Sequence, residues 1–266
     1  MFEKYKPEKV IHLAARVGGI KDNMNHPADF FYQNIMMNTL VVHYAYKYKV
    51  KRLIGVLSNC AYPDVVERYP LKEEQLHDGL PQVTNFAYAY SKRALDVQIN
   101  SYNQQYNCNF FSVIPCNMYG PHDNFDENQS HFVPALIRKI HNLKEKNEKT
   151  LNLLGSGKPL RQYLYSEDFA EILLKLLDEY KDNDPVNIAP KSENLSIAEI
   201  ALIALDALDA DDFIIKFDNS FPDGQFRKDL DIQRLIDNIG DYKFTPLSEG
   251  IKKTFEWYLK RIETYA

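Results

Sequence analysis

VIHLAARVGGI, at residues 10–20, is the stretch that decides the fold. A short apolar run that leads into two glycines is typical of a buried strand ending at the nucleotide-binding edge of a parallel sheet. Two further apolar runs follow, RLIGVLS at 52–58 and FFSVIP at 110–115. Stretches with helical spacing of apolar residues separate the three, and this alternation requires parallel crossovers. We therefore predict an α/β fold with a Rossmann-like, doubly wound parallel sheet.

Two helices are predicted between these strands. One follows Pro27 and runs through ADFFYQNIMMNTLVVHYAYKY, with proline at the first helical position. The other starts at Tyr88, and its apolar stripe consists of Leu95, Ile99, Tyr102 and Tyr106. Both have the length that a crossover between parallel strands needs.

The pattern changes after residue 116. The later elements are a helix in HFVPALIRKIHNLKEK, strands in LNLL, RQYLY, PVNIA and FIIKFD, a helix from Glu167 capped by Ser166, a capping box in SIAE at 196–199, a PDG turn at 222–224, and a last helix after Thr245-Pro246. We expect residues 1–116 to form a dinucleotide-binding domain and residues 117–266 a smaller α+β substrate domain. Part of the segment 160–190 is expected to return to the main sheet.

Composition excludes several classes of protein. Of the 266 residues, 45% are hydrophobic and 26% are charged, which is ordinary for a globular chain that buries a core. The formal net charge of −5 argues against nucleic-acid binding, since a phosphate backbone selects a basic surface. Three cysteines without CxxC spacing indicate a reducing compartment, so we expect a cytoplasmic protein. No apolar run reaches the roughly 18 residues that a membrane span requires, and we expect no membrane association.

YAYSK, at 88–92, carries the strongest chemical signal. Tyr88 and Lys92 lie four positions apart, on one face of a helix, where a lysine cation is expected to lower the pKa of the phenol. Such a tyrosine passes a proton to a carbonyl oxygen during reduction. Tyr90 is only two positions from Lys92, and its own neighbour Arg93 is a weaker candidate for the same task.

LSNCAYP, at 57–63, stands at the end of the strand where open α/β sheets bind their ligands. Ser58 is expected to hold a carbonyl oxygen beside Tyr88. Each of these residues also has an ordinary structural explanation. A Tyr-x-x-x-Lys pair is common on amphipathic helices, Ser58 fits a turn, and Cys60 fits a small buried hydrophobe. The order of motifs along the whole chain has to separate the two interpretations.

That order resembles the GDP-L-fucose synthase family, a group of extended short-chain dehydrogenase/reductases. The resemblance rests on VIHLAARVGGI, PADFFYQN, LSNCAYP, TNFAYAYSK, VIPCNMYGPHDNF, SHFVPALIRK, GSGKPLRQYLYSEDFA and PDGQFRKDLD. It implies an enzyme that inverts GDP-4-keto-6-deoxy-D-mannose at C3 and C5 and then reduces its C4 ketone with NADPH. Protons beside a ketone are acidified, so each inversion needs a base on one face of the sugar and an acid on the other.

The resemblance also implies the residues of the site. Cys60 and His131 would be the acid/base pair. Ser58 and Tyr88 would hold the C4 oxygen, and Tyr88 would donate the proton of the reduction with help from Lys92. The implied NADP(H)-binding residues are Leu13, Ala14, Ala15, Tyr88, Lys92, Asn117 and His131. The implied substrate-binding residues are Asn117, Lys139, Arg161 and Arg227, and no residue is assigned to a metal.

The chain departs from the family pattern in two respects. Some relatives have a tryptophan where Leu154 stands and a lysine where Phe221 stands, so we expect altered contacts to the guanosine and pyrophosphate. Relatives also carry a glycine-rich strand–turn–helix ahead of the first strand, within about 60 residues. The sequence Val17-Gly18-Gly19 lacks the G-x-G-x-x-G spacing of such a turn. We therefore expect an N-terminally truncated sheet with an exposed edge, and weak cofactor binding.

The leading hypothesis is thus a sugar-nucleotide epimerase/reductase. Another sugar-nucleotide epimerase or a dehydratase is an alternative on the same fold, disfavoured because Asn59 and Cys60 stand where dehydratases usually carry an acidic residue. A catalytically inactive sugar-nucleotide-binding or scaffold subunit is the second alternative, favoured by the missing glycine-rich turn and opposed by the presence of all five catalytic residues. The expected partners are a GDP-sugar and a second copy of the chain, since relatives are usually homodimers through the helices that begin near Pro27 and Tyr88.

Overall fold

A computed structural model describes residues 1–126, 129–191, 194–221 and 223–265 of the chain. The chain divides into two compact units. The first consists of Met1–Cys116, Phe169–Ala189 and Leu230–Tyr242, and the second of Asn117–Asp168, Pro190–Asp229 and Lys243–Ala266.

The described residues form both helices and strands throughout. The strands are β1 (Lys9–His12), β2 (Arg52–Val56), β3 (Phe110–Pro115), β4 (Asn117–Tyr119), β5 (Thr150–Leu154), β6 (Leu160–Arg161), β7 (Tyr163–Tyr165), β8 (Val186–Ile188), β9 (Leu195–Ser196) and β10 (Ile214–Asp218). The helices are α1 (Phe2–Tyr5), α2 (Ile20–Asn25), α3 (Pro27–Lys47), α4 (Phe86–Tyr106), α5 (Phe132–Glu145), α6 (Ser166–Glu179), α7 (Ile197–Ala207), α8 (Gln233–Ile239) and α9 (Leu247–Tyr265). In the part of the chain that the structure describes, no helix has both the length and the apolar composition needed to cross a membrane.

A four-stranded parallel sheet forms the centre of the first unit, in the order β1-β2-β3-β8. All residues of β2 and β3 are buried, as expected for inner strands covered on both faces. β1 lies at one edge of the described sheet, and its last residue, His12, is opposite Gly55 of β2. The predicted α/β fold with a Rossmann-like parallel sheet is confirmed.

Helices α3 and α4 follow β1 and β2 along the chain and pack against each other. The buried side of α3 consists of Phe30, Asn34, Asn38, Val42 and Ala45. α4 lies against β2 at Gly55, where an added Cβ would be only 2.7 Å from Ile99 Cδ1. Because glycine leaves this space open, α4 approaches the sheet closely. Both predicted helices are confirmed, although α4 begins at Phe86 and Tyr106 is 41% exposed rather than part of a buried stripe.

The second unit has a hydrophobic core of its own. Among its described residues, the strands form three pairs, β5 with β10 and β4 with β7 in parallel, and β6 with β9 antiparallel. The core residues from its helices include Leu136, Ile140, Leu205 and Ile251. The predicted capping box opens α7: Ser196 Oγ accepts the Glu199 N–H at 3.1 Å, and Glu199 Oε2 accepts the Ser196 N–H at 2.7 Å.

Several boundaries differ from the sequence-based expectations. β1 ends at His12, so Leu13 lies beyond the strand and is 59% exposed. The predicted strand RQYLY is broken into β6 and β7 at Gln162, whose side chain donates to the Pro190 carbonyl at 3.2 Å. Ser166 is the first residue of α6 rather than its cap. The PDG turn predicted at 222–224 lies partly outside the described residues, since these omit residue 222.

Candidate active site

The segment after β2 turns at Ser58 and presents Cys60. Ser58 has an extended backbone (φ −161°, ψ 147°) and caps a short 3-10 turn, Asn59–Ala61. Its Oγ accepts a hydrogen bond from the Cys60 N–H at 3.2 Å. Arg93 of α4 donates through Nε to the Ala61 carbonyl at 2.6 Å and fixes the end of the turn. These bonds hold Ser58 and Cys60 together at the C-terminal end of β2.

Helix α4 brings Tyr88 and Lys92 to the same place. The Tyr88 hydroxyl is hydrogen-bonded to the Ser58 side chain and lies close enough to Cys60 for the two to interact electrostatically. Lys92 is 3% exposed, and its Nζ donates to the Val56 carbonyl at 2.8 Å. The same Nζ lies 5.7 Å from the centre of the Tyr88 ring. Two motifs 30 positions apart in the chain therefore form one cluster in the first unit.

The pKa of Tyr88 differs from the sequence-based expectation. Burial raises the pKa of the phenol, the nearby Cys60 raises it further, and the hydrogen bond with Ser58 acts in the opposite direction. Burial also lowers the pKa of Lys92, to about 8, and the Lys92 ammonium is directed to the Val56 carbonyl. The net shift of the Tyr88 pKa is therefore upward, and the lowered pKa predicted from the Tyr88–Lys92 spacing is wrong. Tyr88 is a protonated hydroxyl that is suited to donate a proton.

The residues after β1 form an open and weakly polar surface. Leu13 and Ala14 are exposed, and Ala15 is half-buried. Arg16 is fixed by the buried side chain of Asn34, which accepts the Arg16 N–H at 2.9 Å and donates to the Arg16 carbonyl at 3.1 Å. This surface has the small side chains that a ribose or a nicotinamide ring needs for close contact.

The donors of the cluster fit the hydroxyl groups of a nucleotide. Within the described residues, Lys92 uses one of its three N–H groups, on Val56, and two remain for ligand oxygens. The Tyr88 hydroxyl both donates and accepts. A cation and a hydroxyl on one helix face suit the ribose end of a dinucleotide.

Two of the predicted residues begin elements of the second unit. Asn117 starts β4, and its Nδ2 donates to the Gln162 carbonyl at 3.2 Å. His131 immediately precedes α5 and is exposed. Asp123 lies within electrostatic range of His131: burial raises the pKa of Asp123, and His131 partly opposes this rise. His131 therefore has an acidic neighbour in Asp123.

The basic residues predicted for substrate binding already have protein partners. Lys139 Nζ donates to a backbone carbonyl of β5 at 3.4 Å. Arg161 donates through Nη1 to the carbonyl of its preceding residue at 2.7 Å. Arg227 forms a bidentate ion pair with Asp229, with 2.9 Å between Nη2 and Oδ2. The carboxylate of Asp229 pairs with one edge of the Arg227 guanidinium, through Nε and Nη2.

The two departures from the family pattern stand just before the GSG turn, at Leu154, and just before the PDG segment, at Phe221. Asp223 closes this turn by accepting the Ser156 N–H at 2.8 Å and the Ser156 hydroxyl at 2.5 Å. Gly155 has φ of +83°, which favours glycine at that position. Leu154 and Phe221 are 59% and 48% exposed, so both present apolar surface to solvent. Among the described residues, no group of three or more His, Cys, Asp or Glu side chains is arranged to hold a metal ion.

Three buried polar residues beside the Tyr88 cluster were not predicted. Asn34 and Asn38 face the interior from α3, and His12 ends β1 with its Nε2 2.9 Å from Asn38 Oδ1. The available signal was the four-residue spacing of the two asparagines, which places both on the buried side of α3 among apolar residues. A histidine at the end of an apolar strand gives no comparable signal by itself.

The chain has relatives along its whole length. Residues 1–189 match the NAD dependent epimerase/dehydratase family. The chain is 40% identical to the GDP-L-fucose synthase of Dictyostelium discoideum over 264 residues, which are 99% of this chain and 82% of that protein. It is 41% identical to the GDP-L-fucose synthase of Sinorhizobium fredii over 259 residues, 97% of this chain and 81% of that one. A crystal structure of a GDP-L-fucose synthetase from Naegleria fowleri bound to NADP shares 39% identity and a TM-score of 0.91, covering 99% of this chain and 80% of that one. The chain therefore belongs to the GDP-L-fucose synthase family.

Proposed function

We propose that this chain makes GDP-L-fucose, by inverting C3 and C5 of GDP-4-keto-6-deoxy-D-mannose and then reducing the C4 ketone. The observation that carries the proposal is the cluster of Ser58, Cys60, Tyr88 and Lys92 at the C-terminal end of β2. The cofactor is NADP(H), and when bound it supplies the hydride for C4. The chain is therefore an oxidoreductase and an epimerase in one.

The proton transfers at C3 and C5 are assigned to Cys60 and His131. A carbon beside the C4 ketone releases its proton because the negative charge moves onto the ketone oxygen. The hydroxyls of Ser58 and Tyr88, which are hydrogen-bonded to each other, are the donors that stabilise this charge. Cys60 acts as an acid and base in this scheme and forms no covalent bond to the sugar.

Tyr88 is assigned as the proton donor to the C4 oxygen during reduction. Its raised pKa keeps the hydroxyl protonated until negative charge develops on the substrate oxygen. The Lys92 ammonium, 5.7 Å from the centre of the ring, then stabilises the phenolate that remains. Burial strengthens this interaction because little water screens it.

The remaining assignments follow the two units. We assign residues 1–116, with the segment that returns to β8, as the dinucleotide-binding domain, and residues 117–266 as the sugar-nucleotide domain. The residues that would hold the cofactor are Leu13, Ala14, Ala15, Tyr88, Lys92, Asn117 and His131. The residues that would hold the GDP-sugar are Asn117, Lys139, Arg161 and Arg227.

We also assign the chain to the cytoplasm, as a homodimer formed through α3 and α4. The cysteine content supports a reducing compartment. Exposed apolar side chains on both helices, among them Met36, Leu40 and Val97, support self-association.

Two variants separate the reduction step from the proton exchange at C3 and C5. Tyr88→Phe removes the proton donor, so NADPH oxidation should fall by about 10²-fold or more while deuterium exchange from D2O into C3 and C5 stays detectable. Cys60→Ser should lower that exchange by a similar factor and leave binding of the sugar nucleotide unchanged. Exchange is followed by NMR without cofactor, and reduction by NADPH absorbance. Full reduction by Tyr88→Phe, or unchanged exchange in Cys60→Ser, would remove that residue from its role.

A further inference from the structure

A buried chain of hydrogen bonds joins β1, α3 and α4 beside the Tyr88 cluster. His12 is 5% exposed, and its Nε2 lies 2.9 Å from Asn38 Oδ1. Asn38 is 1% exposed and donates through Nδ2 to the Ser91 carbonyl at 3.2 Å. The Ser91 hydroxyl donates to the Tyr88 carbonyl at 2.6 Å. The chain of bonds therefore ends on the turn of α4 that carries both Tyr88 and Lys92.

The hydrogen bonds of Asn38 define which nitrogen of His12 carries a hydrogen. Since Asn38 Nδ2 is the donor to Ser91, Asn38 presents its carbonyl oxygen to the imidazole, and His12 Nε2 is the donor to it. Burial lowers the pKa of His12, the bond to Asn38 raises it in part, and the Lys92 cation lowers it again. The imidazole is therefore neutral at neutral pH, which avoids two adjacent buried cations.

Packing alone does not account for this arrangement. A histidine and an asparagine are costly to bury unless they are paired, and a leucine would fill either position without that cost. The hydrogen bonds of the polar pair constrain how α4 is placed relative to α3 and β1. The Asn38 amide reaches the Ser91 carbonyl only at one height and rotation of α4 relative to α3 and β1. Ser91 stands immediately before Lys92 and one turn after Tyr88, so this bond sets the position of both.

We propose that His12 and Asn38 are positioning residues for the reduction step, and that they act by fixing the turn of α4 that carries Tyr88 and Lys92. The inference rests on the proposed function and adds to it two residues that act through a helix. Cys60 is carried by the segment after β2 and not by α4, so proton exchange at C3 and C5 depends less on these residues than reduction does.

Variants of the full chain test this role. His12→Leu and Asn38→Leu should each lower kcat for reduction about tenfold, because a small displacement of a proton donor is enough for such a loss. The double variant should be about as slow as the slower single variant, since both changes break the same chain of bonds. The KM for the GDP-sugar should change less than about threefold, and the rate of C3 and C5 exchange should fall by a smaller factor than kcat. His12→Gln again offers an N–H to Asn38 and should restore most of kcat.

Ser112→Ala is the matched control. Ser112 is 1% exposed and also joins a strand to α4, since its hydroxyl donates to Asp96 Oδ1 at 2.7 Å, one turn beyond Lys92. Its loss should lower the thermal unfolding midpoint about as much as His12→Leu does and leave kcat unchanged. Amide hydrogen exchange in residues 88–95 gives a readout without turnover, and it should quicken in His12→Leu but not in His12→Gln.

The outcomes separate the inference from the proposed function. Native kcat in His12→Leu, an equal loss of kcat in Ser112→Ala, or no recovery in His12→Gln would each overturn the positioning role while the enzyme assignment stands. If the native chain itself carried out no reduction, the proposed function would fall first, and the inference with it.

Discussion

At the scale of single residues, burial decides which groups of the site carry protons. Burial lowers the pKa of Lys92 to about 8. A lysine is a cation below its pKa and neutral above it, so the free chain loses the Lys92 charge as the pH rises through about 8. We expect kcat/KM for reduction to be level below about pH 7 and to fall above about pH 8, since this ratio reports groups of the free enzyme.

Lys92→Arg is the variant that isolates this charge, because arginine stays protonated to far higher pH. The variant should be slower overall, since a guanidinium is larger than the ammonium it replaces at a position that is 3% exposed. Its remaining activity should hold level between about pH 7 and about pH 9.5. The rate of NADPH oxidation is measured across this pH range for the native chain and for Lys92→Arg. If the activity of the native chain and that of Lys92→Arg fell at the same alkaline pH, the fall would belong to a group other than Lys92.

The sequence predicted which residues meet at the site better than it predicted their protonation. Tyr88 and Lys92 were paired from their helical spacing, and the structure places Nζ 5.7 Å from the Tyr88 ring centre. The direction of the pKa shift of Tyr88 was wrong, because it depends on burial and on the Val56 carbonyl that binds Lys92, and neither is encoded in a spacing. The catalytic roles of these residues stay predictions until the variants are measured.

At the scale of elements, the contact between α9 and β4 depends on Gly250. An added Cβ at Gly250 would lie 2.0 Å from Tyr119 Oη and 2.8 Å from Tyr119 Cζ. Tyr119 is 2% exposed and has little room to move. Overpacking costs about 1–3 kcal/mol, whereas the better helix propensity of alanine gains at most about 1 kcal/mol. Gly250→Ala should therefore lower the free energy of unfolding by about 1–2 kcal/mol.

Urea unfolding measures this change. Ser248→Ala, at an exposed position of the same helix, is the control and should alter the free energy of unfolding by less than about 0.5 kcal/mol. Adding Tyr119→Phe to Gly250→Ala removes the hydroxyl nearest to the new methyl group and should recover part of the loss. Native stability in Gly250→Ala would show that α9 and β4 do not pack as closely as described.

Elements with strong local signals were predictable, and short paired strands were not. Pro27 indicated the start of α3, and Ser196 with Glu199 indicated the start of α7. β6 and β9 have two residues each and exist because Arg161 pairs with Leu195, far along the chain. Such strands are set by tertiary pairing rather than by local pattern, so the sequence showed one strand where the structure has a break.

At the scale of the whole molecule, the surface of α3 and α4 predicts association of two copies. Exposed apolar side chains on these helices are Phe31, Tyr32, Met36, Leu40, Tyr44, Phe86, Val97 and Tyr106. A groove of about 780 Å³ lies between the helices, lined in part by Ile35, Thr39, Tyr90 and Val97. Apolar surface of this extent favours a protein–protein interface.

Val97→Glu tests the dimer. A charge in the proposed interface should shift the chain from twice its own mass to a monomer, as measured by light scattering after gel filtration. Leu174→Glu is the matched control, because Leu174 is 59% exposed and belongs to α6, which is not one of the two helices assigned to the interface. A native chain of monomer mass, or a dimer that withstands Val97→Glu, would contradict the assignment of these helices.

In the proposed reaction, one chain both inverts and reduces the sugar. The most direct measurement is NMR of the product that the full chain forms from GDP-4-keto-6-deoxy-D-mannose and NADPH in D2O. We predict GDP-L-fucose that carries solvent deuterium at C3 and C5, with one NADPH oxidised for each product molecule. A reduced sugar without deuterium at these carbons, or no product at all, would contradict the claim.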